Sequence, residues 1–156
     1  MHPARFAETT PDKPALIMAE TGETLTYRQL NERSNQGAQL FRKLGLNCGD
    51  VVAIFMENNL RFLEICWAAQ RAGLYYTCIS SRLTAGEVAY IVRDSDAKLL
   101  LATPGVAKAA SAAALLAGVK RFSVGGAIEG FEPYEAAAAA MPATPISDES
   151  AGADML

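Results

Sequence analysis

The hydrophobic and polar positions fall into short alternating blocks. A first apolar run, residues 15–19, is followed by Thr21-Gly22-Glu23 and by β-prone residues 24–26, which predicts a small hairpin near the N-terminus. Thr26-Tyr27-Arg28-Gln29 has the form of a capping box, in which the Thr26 hydroxyl accepts from the Gln29 N–H and the Gln29 side chain reaches back. Leu25 and Leu30 flank it as a hydrophobic staple. Leu30, Ser34, Gly37, Phe41 and Leu44 then recur in steps of three and four, one face of a helix that Gly45 ends. Small residues at Ser34, Gly37 and Ala38 let that face approach another element closely.

Residues 51–56 are continuously apolar between Gly49-Asp50 and Glu57-Asn58-Asn59, which predicts a buried strand. Asn58 or Asn59 caps a helix over 60–72, apolar nearly all round and so expected to be covered on more than one side. After Gly73 come a strand over 74–79 and the loop Ser80-Ser81-Arg82. A second capping box, Thr84-Ala85-Gly86-Glu87, opens a helix carrying Val88, Ile91 and Val92. Asp94-Ser95-Asp96 breaks it before a strand over 98–103. Pro104-Gly105, an Ala/Leu-rich helix over 106–117, a strand over 119–124, Gly125-Gly126, an Ala-rich segment over 134–141 and a proline-punctuated linker complete the chain. This alternation predicts an α/β fold: a mostly parallel sheet with helices on both faces, preceded by the hairpin.

Composition narrows the function classes. At 156 residues, with 51% hydrophobic and 20% charged, the chain fits one domain with a packed core. A net charge of −3 provides no basic field for nucleic acid. No run reaches the ~18 apolar residues of a membrane span. The one histidine, His2, lies at a terminus expected to fray, which leaves no Ser–His or Cys–His pair and no His metal site. Cys48, Cys66 and Cys78 are widely spaced without a C-x-x-C pair, so they are expected as small apolar fillers in a reducing, cytoplasmic setting. The polar opening residues, with two prolines, are not a secretory h-region.

Parallel sheets bind ligands beyond the carboxyl ends of their strands, so the chemistry is sought in the loops that follow them. None is a G-x-G-x-x-G fingerprint or a Walker loop. Glu57 has no evident partner and reads as a solvated strand-end residue or a cap of the next helix. Gly125-Gly126 and Asp94/Asp96 read as turns, and Trp67, Tyr75 and Tyr76 as core or subdomain contacts. Arg82 has two readings. Its guanidinium and the backbone N–H groups of the next helix could share an anion, or it is a surface arginine paired with a carboxylate. The residues by themselves give a well-punctuated α/β layer with no complete active site.

Three stretches resemble the start of the AMP-forming acyl-CoA synthetases, the adenylate-forming acyl- and aryl-CoA ligases. Thr10-Pro11-Asp12-Lys13-Pro14-Ala15-Leu16-Ile17 is similar to the family's opening, and Leu25-Thr26-Tyr27-Arg28-Gln29-Leu30 to its motif L-T-Y-x-[EQ]-L. The stretch from Ala69-Gln70-Arg71-Ala72-Gly73 through Ile79-Ser80-Ser81-Arg82-Leu83-Thr84 resembles R-A-G-x-x-Y-x-P-I-N-P-R-L-T, departing from it at Cys78, Ser80 and Ser81. The resemblance implies that residues 1–141 are an N-terminal α/β subdomain, and that 142–156 are a linker toward a phosphate-loop strand that these residues do not include. It further implies a parent enzyme that uses ATP, Mg2+ and coenzyme A to convert a carboxylic acid, a fatty acid, to acyl-AMP and then to the thioester. The 156 residues then carry no catalytic residue, bind no cofactor unaided and tend to self-associate. Arg82 stands where related ligases place an arginine that reaches the phosphates of the coenzyme A nucleotide. The competing expectation is a naturally short, non-catalytic α/β binding or scaffold domain.

Overall fold

Two capping boxes fix where the long helices begin. A computed structural model describes residues 2–107 and 119–150. Helix α1 (Pro3–Thr9) leads into a hairpin of β1 (Pro14–Ile17) and β2 (Thr24–Thr26), antiparallel as expected. Helix α2 (Tyr27–Lys43) follows directly. The Gln29 N–H donates to Thr26 Oγ1 at 3.3 Å, and the Thr26 N–H to Gln29 Oε1 at 3.0 Å. Gly45, at φ 86°, closes the helix in a left-handed turn that a side chain would strain. Then come β3 (Val51–Phe55), α3 (Leu60–Arg71), β4 (Tyr75–Ile79), α4 (Ala85–Asp94), β5 (Ala97–Ala102), β6 (Lys120–Ser123), β7 (Glu132–Pro133) and α5 (Tyr134–Ala139). The expected helix over 106–117 falls largely outside the described residues. Residues 104–107 form a short 3-10 turn.

The five-stranded sheet runs β4-β3-β5-β6-β7, parallel throughout. Alternation along the strands supplies two cores. Val52, Ile54, Leu99, Leu101 and Phe122 face α2, α3 and α5, while Ala53, Phe55, Leu100 and Ala102 face α4. Gly37 lets α2 and α3 close on each other, since a Cβ there would stand 2.6 Å from both Ala68 Cβ and Tyr134 Oη.

Four expectations change. The N-terminus is helical and docked, and His2 is its N-cap, the ring Nδ1 accepting from the Ala4 N–H at 3.3 Å. Helix α3 is not apolar all round: Glu64 and Arg71 are both 1% exposed. Strand β4 lies at the sheet edge, where Tyr75 and Tyr76 are exposed, so of their two readings, core or subdomain contact, the core one falls. Cys48 and Cys78 are exposed, and only Cys66 is buried. Residues 142–150 lie along α2. Asn35 Nδ2 donates to the Ala143 carbonyl at 2.9 Å, Gln39 Nε2 to the Thr144 carbonyl at 3.0 Å, and Arg42 pairs with Asp148.

Candidate functional site

The loop after β4 presents Arg82. Its backbone is held by short-range bonds, Arg82 N–H to Ser80 Oγ at 3.4 Å and Leu83 N–H to the Ser80 carbonyl at 3.1 Å. Helix α4 starts two residues on. There the Thr84 N–H and hydroxyl both donate to Glu87 Oε2, at 2.8 and 2.7 Å, and these bonds hold the Glu87 carboxyl below its ordinary range. Arg82 is exposed, and no carboxylate among the described residues pairs with it. Of the two readings of this side chain, the ion-paired one finds no partner among the described residues. The loop offers a free guanidinium beside a helix N-terminus, an arrangement suited to an anionic oxygen.

A second feature lies at the same edge of the sheet. Taken in chain order, the parallel strands are arranged second, first, third, fourth, fifth, so the chain reverses direction between β3 and β5. Such a switch point opens a crevice beyond the strand ends. Here it is a cleft of about 580 Å³ between the loops after β3, β5 and β6. Glu57, expected to lack a partner, lines it and has one: Thr103 Oγ1 donates to Glu57 Oε2 at 2.8 Å. A Cβ at Gly105 would overlap that carboxylate, so the glycine is what lets the β5 loop lie against it. Asn59 caps α3 through the Arg61 N–H at 2.8 Å. Gly125-Gly126 is the expected turn, with the Gly125 N–H donating to Glu135 Oε1 at 2.8 Å.

In the wall of the cleft lies an ion cluster, centred on the buried Glu64, that the sequence reading missed. Arg61 donates to both oxygens of Glu64, at 3.1 and 2.9 Å, and Arg33 stands 3.9 Å away. Burial raises the Glu64 pKa against the pull of both arginines. Two turns along α3, Arg71 binds Ser34, Asn31 and Glu149. The signal was present as matching polar stripes: Asn31, Ser34 and Asn35 on α2, and Arg61, Glu64 and Arg71 on α3. Among the described residues no group of three or more His, Cys, Asp or Glu is placed to hold a metal ion, and no helix is long and apolar enough to cross a membrane. The cleft therefore gathers fixed charges, with the Thr103 hydroxyl held on the Glu57 carboxylate.

A family model described as "AMP-binding enzyme" matches residues 3–151. Over 92 residues the chain is 38% identical to zwittermicin A synthase ZmaJ of Bacillus cereus, a match covering 59% of this chain and 17% of that protein. Over 95 residues it is 33% identical to the long-chain-fatty-acid–CoA ligase FadD13 of Mycobacterium tuberculosis, covering 61% of this chain and 19% of that one. Its fold matches a benzoate CoA ligase from Burkholderia xenovorans LB400 with a TM-score of 0.82 at 22% identity, over 96% of this chain and 29% of the ligase. The chain thus spans less than a third of each.

Proposed function

Because the chain belongs to the AMP-binding enzyme family, we propose that it is the N-terminal α/β portion of an ATP-dependent ligase that activates a carboxylic acid, a fatty acid, as its adenylate and passes the acyl group to coenzyme A in the cytoplasm. The observation that carries the thiol-ligase reading is Arg82, an exposed arginine at the carboxyl end of a parallel strand, with no ion pair among the described residues. In this reading its guanidinium binds a phosphate of the coenzyme A nucleotide, and the α4 N-terminus adds N–H donors. Residues 142–156 lead toward a phosphate-loop strand further along the parent chain.

ATP and Mg2+ are cofactors of that parent. The residues here do not fit them: the sequence has no Ser/Thr/Gly-rich loop ending in lysine, and the clustered carboxylate of Glu64 is already held by Arg61. The adenylation step is accordingly assigned to other parts of the parent, and the role of this layer is to position and to bind.

Two measurements test this. The purified chain is expected to show no carboxylate-dependent exchange of labelled pyrophosphate into ATP, and exchange above background refutes the assignment. In the parent enzyme, Arg82→Ala should raise the KM for coenzyme A about tenfold, the equivalent of ~1–2 kcal/mol for a lost contact between arginine and phosphate, and leave adenylation unchanged. An equal fall in both half-reactions would make Arg82 structural.

A further inference from the structure

Cys66 on α3 and Cys78 on β4, distant in sequence and outside any C-x-x-C pair, meet in the fold. Side-chain alternation along β4 sends Ile79 into the core beneath α4, so Cys78 faces the other way, toward α3. Its register partner on β3 is Ile54, which shares the α3-side core with Cys66. The two thiols are close enough for each to shift the other's titration. Cys66 is buried and Cys78 exposed, so one sulfur of the pair is open to solvent reagents and the other sits behind it.

We propose that Cys66 and Cys78 form a redox pair that closes into an intramolecular disulfide by exchange with a low-molecular-weight disulfide such as oxidised glutathione, clamping the carboxyl end of the edge strand β4 to α3. In the first exchange the Cys78 thiolate attacks one glutathione sulfur, the glutathione S–S bond breaks, and one glutathione thiolate leaves. In the second, the Cys66 thiolate attacks Cys78 Sγ, the mixed disulfide breaks, and the second glutathione leaves. Two cysteine thiols are oxidised, one disulfide is reduced to two thiols, and the protons lost by the cysteines end on the departing glutathiones. Burial pushes Cys66 up to about 12 and also raises Cys78, so closure is slow at neutral pH and answers sustained rather than brief oxidation.

The test uses the 156-residue chain with Cys48→Ser, which removes the remaining exposed thiol. After incubation with oxidised glutathione, acid quench and alkylation, both free thiols should be lost, the mass should fall by two hydrogens with no glutathione retained, and digestion should yield a Cys66–Cys78 linked peptide. The closure rate should rise about tenfold per pH unit while the attacking thiols remain mostly protonated. Cys66→Ala should instead leave glutathione on Cys78. The same oxidation in denaturing urea, where the fold no longer brings the sulfurs together, should close the pair at least about tenfold less completely at a given ratio of oxidised to reduced glutathione, as expected when a folded site raises effective concentration. A stable glutathione adduct on Cys78 with Cys66 still free, closure no better in the native chain than in urea, or cross-linking only between copies would each overturn the proposal.

Discussion

Arg71 shows what one side chain can hold together. Its Nε donates to Ser34 Oγ at 3.1 Å, and its terminal nitrogens to Asn31 Oδ1 and Glu149 Oε1, each at 2.6 Å, while its carbonyl accepts from the Ser150 N–H at 2.8 Å. One guanidinium thus ties α2, α3 and the 142–150 segment. A buried charge is tolerated on these terms because every partner is polar and fixed. Replacing it with methionine keeps the stem's packing but strands Glu149 and Asn31. Arg71→Met is expected to cost ~3 kcal/mol in urea unfolding, the low end for a broken buried pair because Glu149 keeps some contact with water. Arg71→Lys should recover less than half of that, since an ammonium cannot span three divergent acceptors. The motif around Arg71 was legible as a string. Its burial was not, because the polar residues that accept its bonds come from two other segments, and Glu149 lies 78 positions away.

At the scale of elements, the signals written locally were the readable ones. Both capping boxes, the glycine stop at Gly45 and the apolar strands at β3 and β5 depend on residues within a turn or two of each other, and all stand where the pattern put them. The hairpin, the parallel sheet and the helices on both faces followed from their order. Helix α1 and strand β7 were missed for the opposite reason. Seven residues with a proline at the start have little helical drive of their own, and two residues make no periodicity; both elements exist through docking. In the candidate site the Arg82 loop was legible and the ion cluster was signalled by its polar stripes, whereas the cleft required the strand order.

The docking of α1 is open to titration. The His2 ring meets Trp67 edge-on at 5.4 Å between centroids, and Nε2 stands 3.5 Å from Glu149. Burial, and then the charge of Arg71, lower the His2 pKa from 6.5, while Glu149 opposes them. A base whose folded pKa is depressed binds fewer protons folded than unfolded. Its contribution to stability is therefore complete above 6.5 and is lost as pH falls from 6.5 through the folded pKa. Trp67 is the single tryptophan and His2 the single histidine, so indole emission reports this pair directly. Emission is expected to titrate with a midpoint below 6.5, together with a falling thermal midpoint. His2→Gln should abolish the optical transition, and a midpoint at or above 6.5 would mean that Glu149 outweighs burial.

For the whole molecule, the distribution of covered and uncovered surface sets the solution behaviour. The α2–α3 face is closed by α5 and by residues 142–150, whose Ile146 is buried in the core, so the polar ties to α2 shield the helix that sequence alone marked as sticky. Ile17 on the hairpin and Tyr90 on α4 are exposed singly, and a cluster of uncovered apolar side chains lies at the β4 edge of the sheet. Strand β4 pairs only with β3 among the described residues, and beside it Leu63, Tyr75 and Tyr76 are 43%, 47% and 39% exposed. A five-residue edge with free N–H and C=O groups and aromatic side chains is a template for another strand. If pairing two such edges removes ~500 Å² of apolar surface, the gain is roughly 12 kcal/mol at ~25 cal/mol per Å², within the ~4–15 kcal/mol that association costs. Backbone hydrogen bonds across the new pair tip that balance toward assembly. The isolated chain is therefore expected to scatter light as a dimer or larger species at micromolar concentration. Tyr76→Pro, which bars one bond to an added strand because the N–H groups turned to β3 are those of Tyr75 and its alternate residues, or Tyr75→Lys, which places a charge on the edge, should return it to monomer without lowering the unfolding midpoint of the core. A wild-type chain that stays monomeric and binds no hydrophobic dye would show that β4 tolerates water as it stands, and would favour a self-sufficient binding domain over a layer built to be covered by a longer parent.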